Sequence, residues 1–166
     1  MHYDIFNSPI GPLLVAGDSV GLREIRFEMP DRPALPEPDW LRDGGALGPV
    51  LEQLHEYFAG TRQQFELRVS PQGTEFQQGV WRLLQQVPFG TTTTYGTLAE
   101  QLGMRHGARA VGLANGSNPV PIVIPCHRVV GSDGSLTGFG GGLERKRYLL
   151  SLEGVALEAD RQRALF

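Results

Sequence analysis

The chain has one cysteine, Cys126, and one lysine, Lys146, among 166 residues. A single sulfur excludes an internal disulfide and makes any thiol chemistry depend on Cys126. It also argues against a metal site, because His2, His55, His106 and His127 are scattered without ligand spacing around that sulfur. No apolar run approaches the roughly 20 residues of a membrane-spanning helix, so no membrane partner is expected. Met1 to Ile10 has neither a basic start nor an apolar core. That excludes an ordinary secretory signal and points to the cytoplasm. Charged residues make up only 20%, while hydrophobic residues reach 40%, enough to bury a core in one domain or two small ones.

The formal net charge of −3 argues against a nucleic-acid binder, but the charge is unevenly placed. Residues 1–73 carry 11 acidic and 6 basic side chains, whereas 74–166 carry 7 acidic and 9 basic. The excess of base is concentrated between Arg82 and Arg147. Such a segment is either a solvated face or a surface that meets a polyanion.

Pattern divides the chain in the same place. Tyr3–Phe6, Leu13–Ala16 and Leu22–Phe27 are short β-prone runs separated by Pro/Gly and Gly-Asp-Ser turns. The proline-rich stretch from Met29 to Pro38 reads as a surface loop. Val50, Leu51, Leu54, Tyr57 and Phe58 recur at helical spacing up to Gly60, and Gln64–Val69 alternates like a strand. Ser70–Gly73 has linker chemistry. Beyond it, Thr74 is an N-cap candidate for a helix carrying Phe76, Val80, Leu83, Leu84 and Val87. A short helix opening at Thr94 or Tyr95 and ending at Gly103, and another starting near Ala108, match a helix-turn-helix. The second helix is rich in small residues (Ala108, Ala110, Gly112, Ala114, Gly116) with Arg109 as its one long cation. This is either a closely packed helix pair or a recognition helix able to approach a nucleic-acid backbone.

The chemistry concentrates in Val120–Val130. Pro121 and Pro125 bar an ordinary central strand and are expected to hold the backbone extended around Cys126. A buried lone cysteine is usually an inert small hydrophobe. Here His127 and Arg128 follow directly, and nearby positive charge would favour the thiolate. In extended chain, neighbouring side chains diverge, so a Cys126–His127 link needs a bridging water or a tight turn. The glycine-rich stretch from Gly131 to Gly142 holds one large ring, Phe139, and reads as a wall beside the cysteine. Leu143–Leu152 reads as an amphipathic helix ended by Glu153-Gly154. Glu153 is either a solvated helix end or, with that helix packed behind the cysteine, a partner that orients His127.

Pro125-Cys126-His127-Arg128-Val129 is the point at which a known pattern emerges. Asn118–Val130 resembles the active-site segment of the O6-alkylguanine-DNA alkyltransferases, the methylated-DNA–protein-cysteine methyltransferases. The blocks at Phe76–Trp81, Thr94–Ala99, Ala108–Gly112 and Gly141–Leu143 resemble the same family in the same order. The resemblance implies an α+β protein. A small N-terminal sheet with one helix, ribonuclease H-like, over 1–72 would support a mainly helical winged helix-turn-helix domain over 73–166. It implies transfer of the alkyl group from O6-alkylguanine in duplex DNA to Cys126, once per molecule and without a cofactor, with O4-alkylthymine a second candidate substrate.

His127, through a water and held by Glu153, would take the thiol proton, and Asn118 would brace the turn before the cysteine segment. Arg109 would enter the base stack as the damaged base flips out, and Tyr95 would assist rotation and hydrogen-bond that base. Ala108, Ala110 and Gly112 would let the helix approach the minor groove. The carbonyls of Cys126 and Val129 would read the guanine amine, with Phe139 and Gly140 shaping the pocket. The implied protein is a monomer, with cooperative loading on DNA left open. Two departures stand out: one cysteine cannot form the N-terminal zinc site of some relatives, and Gly140 stands where some place serine. The alternative reading is a non-catalytic alkylated-DNA-binding or regulatory helix-turn-helix protein in which Cys126 is passive.

Overall fold

The computed structural model describes residues 1–157, so the tail over 158–166 lies outside the description. The chain divides into two compact units. The first is Met1–Gln72 together with Pro119–Val123, and the second is Gly73–Asn118 with the chain from Ile124 on.

In the first unit, β1 (His2–Ser8), β2 (Gly11–Gly17) and β3 (Leu22–Phe27) form an antiparallel meander. The Pro-Ile turn between Ser8 and Gly11 fixes its register, pairing Ser8 with Gly11 and Tyr3 with Ala16. A two-residue strand β4 (Leu41–Arg42), with no signature in the sequence, pairs parallel to β1 and completes the order β3-β2-β1-β4. Helix α1 (Gly48–Phe58) sets Tyr57 and Phe58 in an aromatic group with Phe6 and Phe65.

The strand expected over Gln64–Val69 does not form. Both backbone groups of Glu66 are taken by the Gln53 side-chain amide of α1, at 2.8 and 3.3 Å, and only Val69 bridges to Leu22. A side chain that satisfies the backbone removes the need for a ladder partner. Pro119–Val123 belongs to this unit: Ile25 donates its N–H to the Pro119 carbonyl at 2.9 Å, and Val120 and Ile122 are buried.

The second unit is mainly helical. Helix α2 (Glu75–Leu84) starts in a reciprocal capping box: Thr74 Oγ1 accepts from Gln77 N at 3.1 Å and Gln77 Oε1 from Thr74 N at 2.9 Å. It ends before Val87, one turn sooner than the apolar stripe implied. Strand β5 (Thr93–Thr94) leads into α3 (Tyr95–Gln101), which Thr94 caps at 3.1 Å. Then follows α4 (Ala108–Gly116). Between α3 and α4, a Cβ on Gly107 would lie 2.7 Å from Met104 Cβ, so only glycine lets this turn close. Trp81 donates its indole N–H to the Ala114 carbonyl at 2.9 Å, fastening α2 to α4.

Strand β6 (Val129–Val130) pairs parallel to β5, and α5 (Leu143–Leu152) closes the unit. Leu150 of α5 packs with Val130 and Leu157 in one buried cluster. The α+β class is as expected. No helix among the described residues is long and apolar enough to cross a membrane.

Candidate active site

Cys126 does not sit in extended chain. The backbone turns at Ile122, a β-branched residue at φ 75°, and Cys126–Arg128 forms one turn of 3-10 helix. This corrects the extended reading of the two prolines. Pro125 (φ −81°) serves as the residue before the turn, and Cys126 N–H bonds the Ile124 carbonyl at 2.8 Å. In such a turn, with three residues to the cycle, consecutive side chains point about 120° apart rather than to opposite faces as in a strand.

The thiol is buried, and desolvation pushes it up to about 11. A side-chain hydrogen bond from Asn118 and the charge of Lys146 act the other way without prevailing. Positive neighbours therefore do not make a resting thiolate, contrary to the expectation from Cys126-His127-Arg128. The guanidinium of Arg128 is engaged elsewhere, on Glu153.

His127 is fully buried, and its Nε2 lies 2.7 Å from Glu153 Oε2. Burial lowers its proton affinity. The hydrogen bond and charge of Glu153 oppose this, while the charges of Arg128 and Lys146 reinforce it. Burial alone would raise the Glu153 carboxyl, but hydrogen bonds from His127 and Arg128 bring it down to about 2. At neutral pH the pair is thus an ionised carboxylate accepting from a neutral imidazole. Nε2 carries the proton, and Nδ1, buried without a hydrogen-bond partner among the described residues, keeps its lone pair. The arrangement is a buried thiol followed in the chain by a neutral imidazole whose tautomer is set by a carboxylate.

The remaining sequence candidates all lie in the second unit. Asn118 joins the cysteine directly and also donates to the Ile124 carbonyl at 2.7 Å. Tyr95, first residue of α3, bonds Thr137 Oγ1 through its hydroxyl at 2.6 Å, and its ring lies at ordinary contact distance from where a Cβ on Gly112 would stand. Ala108 and Arg109 are exposed on α4, Ala110 and Gly112 half-buried, and Arg109 makes no hydrogen bond or ion pair among the described residues. In the loop before α5, Phe139 is half-buried and Gly140 exposed, with open space where a Cβ on Gly140 would lie. Val129 is buried, its carbonyl accepting from Lys146.

Three residues were given no site role from the sequence. Lys146 is fully buried and donates to the Val129 carbonyl at 2.6 Å and the Thr137 carbonyl at 2.9 Å; burial lowers it to about 8. Asn115 donates to the Cys126 carbonyl at 3.4 Å from the inner face of α4. Thr137 holds Tyr95. Arg128, expected to favour the thiolate, instead holds Glu153. A signal for Lys146 was present: it shares a helical face with Leu149, Leu150 and Glu153 at intervals of three and four residues. No group of three or more His, Cys, Asp or Glu suited to a metal occurs among the described residues.

Two short helices joined by a glycine turn and a lone buried thiol in one unit define a class: a helix-turn-helix domain with a cysteine built into it. Family models match this division. Residues 75–155 match the 6-O-methylguanine DNA methyltransferase DNA-binding domain, and residues 1–71 match the ribonuclease-like domain of the same proteins. The chain is 46% identical over 155 residues to the methylated-DNA–protein-cysteine methyltransferase of Methanosarcina acetivorans, covering 93% of this chain and 99% of that one. It is 47% identical over 161 residues to the protein of that name from Mycobacterium tuberculosis, covering 96% of each.

Among solved structures, Mycobacterium tuberculosis OGT in complex with DNA superimposes with a TM-score of 0.84 at 47% identity, over 92% of each chain. The O6-methylguanine-DNA methyltransferase of Pyrococcus kodakaraensis gives 0.57 at 27% identity, over 93% of this chain and 99% of that one. The chain belongs to the methylated-DNA–protein-cysteine methyltransferase family.

Proposed function

We propose that the protein repairs O6-alkylguanine in duplex DNA by moving the alkyl group to Cys126 in a single, irreversible turnover. The observation that carries this is the sole thiol of the chain beside a neutral histidine locked by Glu153. As the sulfur attacks the alkyl carbon, an S–C bond forms and the C–O6 bond breaks. The thiol proton passes through a water to His127 Nδ1, and Glu153 stabilises the imidazolium that results. The departing guanine takes up a proton or hydrogen bond, for which Tyr95 exchanges its Thr137 partner. The thioether product is neither acidic nor a good leaving group, so each molecule acts once.

The base reaches the thiol by leaving the helix, which costs a few kcal/mol and less at a lesion. Arg109, exposed on α4 with no partner among the described residues, fills the gap, and Ala108, Ala110 and Gly112 keep the helix slim enough for the minor groove. Asn118 holds the turn before the cysteine, the Cys126 and Val129 carbonyls read the guanine amine, and Phe139 and Gly140 flank O6. O4-alkylthymine is the second substrate to test. The protein acts as a monomer, and its first unit supports the second without touching DNA.

The test is incubation with a duplex carrying one O6-methylguanine, followed by mass spectrometry of the Cys126 peptide. A gain of one methylene, absent in Cys126→Ser, is the expected result. Tight binding with no mass gain would instead favour a non-catalytic lesion binder.

A further inference from the structure

The Glu153 carboxylate is held by more than the histidine it serves. Oε1 accepts Arg128 Nε at 2.8 Å and the Gly90 N–H at 3.3 Å. Oε2 accepts Arg128 Nη2 at 3.0 Å and faces His127 Nε2 at 2.7 Å. The third nitrogen of the guanidinium, Nη1, donates to the Val87 carbonyl at 2.7 Å, and the Phe89 ring centre lies 5.8 Å from the guanidinium carbon. The arginine is thus pinned by the loop after α2, and its planar fork sets the plane of a carboxylate at the end of α5.

A two-point fork fixes orientation in a way that a single ammonium contact does not. With the carboxylate plane set, one Oε2 lone pair is left for the imidazole, and it selects the ring form protonated at Nε2. Charge matters as much as orientation. A carboxylate alone beside a buried histidine would draw a proton onto the ring, and a ring already protonated is no base. The charged groups acting on the ring are Glu153 at the end of α5, Lys146 within α5 and Arg128 on its own turn; the neighbouring loop contributes only Val87, Phe89 and Gly90. Arg128 offsets the attraction of Glu153 without removing its hydrogen bond.

We propose that Arg128 is a positioning residue of the transfer reaction: its fork orients Glu153 and its charge balances that carboxylate, so that His127 rests neutral with Nδ1 free to take the thiol proton. This rests on the role of His127 as base given above. The residue touches neither the thiol nor, in that reading, the base; it acts through Glu153.

The test uses the full chain in two measurements on the native protein, Arg128→Gln and Arg128→Lys. The first is imidazole 15N NMR of His127 without DNA. The native ring is expected neutral and protonated at Nε2. In Arg128→Gln its titration midpoint moves up, and in Arg128→Lys it returns most of the way because the charge is restored. The second is the single-turnover rate of methyl transfer against pH. The acidic limb should move up in Arg128→Gln together with the NMR midpoint. Arg128→Lys should recover the limb but keep a plateau about ten- to a hundredfold below native, because the fork is lost.

If Arg128→Gln does not fold, Arg128→Lys carries the test, since it keeps the buried charge. An unchanged midpoint and ring form in Arg128→Gln would make Arg128 a structural clamp only and overturn the proposal, as would native rates in Arg128→Lys. A shifted midpoint with an unchanged rate profile also overturns it, and places the failure in the role given to His127 rather than in the Arg128–Glu153–His127 coupling.

Discussion

Replacing Glu153 by glutamine keeps the shape of the side chain and removes its charge. Two routes give the size of the effect. A carboxyl held at about 2 in the folded chain, against 4.5 when free, contributes about 3 kcal/mol at neutral pH. Breaking a buried ion pair by removing one partner costs about 3–5 kcal/mol, because the other charge is stranded. Here that charge is Arg128, buried with its Nε on Oε1. The sign of the pH dependence follows from a depressed carboxyl. Its contribution is complete above the free value of 4.5 and is lost as pH falls through about 2. Urea unfolding of native and Glu153→Gln proteins should therefore differ by about 3 kcal/mol at pH 7 and converge in strong acid. Tryptophan fluorescence reports it in a Trp40→Phe background, which leaves Trp81 in the same unit as the cluster. A gap under about 1 kcal/mol at pH 7, the size of an exposed pair, would refute the reasoning. So would a gap that persists undiminished in acid.

Arg109→Ala, which removes an exposed side chain, should leave stability within about 0.5 kcal/mol. It should slow transfer from duplex DNA far more than reaction with a free O6-alkylated guanine; equal losses on the two substrates would remove its assigned role. Lys146→Met strands the Val129 and Thr137 carbonyls, each unpaired buried acceptor costing about 1–3 kcal/mol, partly offset by the loss of a buried charge. The variant should unfold at lower urea, and the Cys126 thiol should titrate higher, since Lys146 now lowers it. Alkylation of Cys126 by iodoacetamide near neutral pH should be about a hundredfold slower in the folded chain than in urea, because the folded thiol sits at about 11 against 9.0 when free. Equal rates would show that the thiol is not desolvated.

What could be read from the sequence was what local chemistry decides. The meander, the N-cap at Thr74, the helix opening at Thr94–Tyr95 and the α3–α4 turn each depend on residues a few positions apart, and each appears where expected. The failures share a cause: a distant partner satisfies a group that looked local. Gln53 took the backbone of Glu66 and erased a strand. Leu41–Arg42 became a strand only because β1 offered an edge. Prolines around Cys126 suggested extension, but Ile122 adopts φ 75° and the chain turns. Arg128 read as a cation serving the sulfur and Lys146 carried no assigned role; both are buried, because Glu153 and two carbonyls receive them. The Cys126–His127–Glu153 set was legible by resemblance, and Glu153 lies where an α5 packed behind the cysteine would put it.

The electrostatics of the site suit the single-use acceptor proposed above. A thiol at about 11 is ionised in about one molecule in ten thousand at neutral pH, so stray electrophiles meet a poor nucleophile. The base that could activate it is not idle by accident. Burial, Arg128 and Lys146 hold His127 neutral against the pull of Glu153, and the proton it carries is committed to that carboxylate through Nε2. In the proposed reaction, activation is then confined to the moment when a substrate lies against the sulfur and the proton has somewhere to go. A site that kept a standing thiolate would react faster with everything, and a protein with one cysteine to give would be exhausted before it met a lesion.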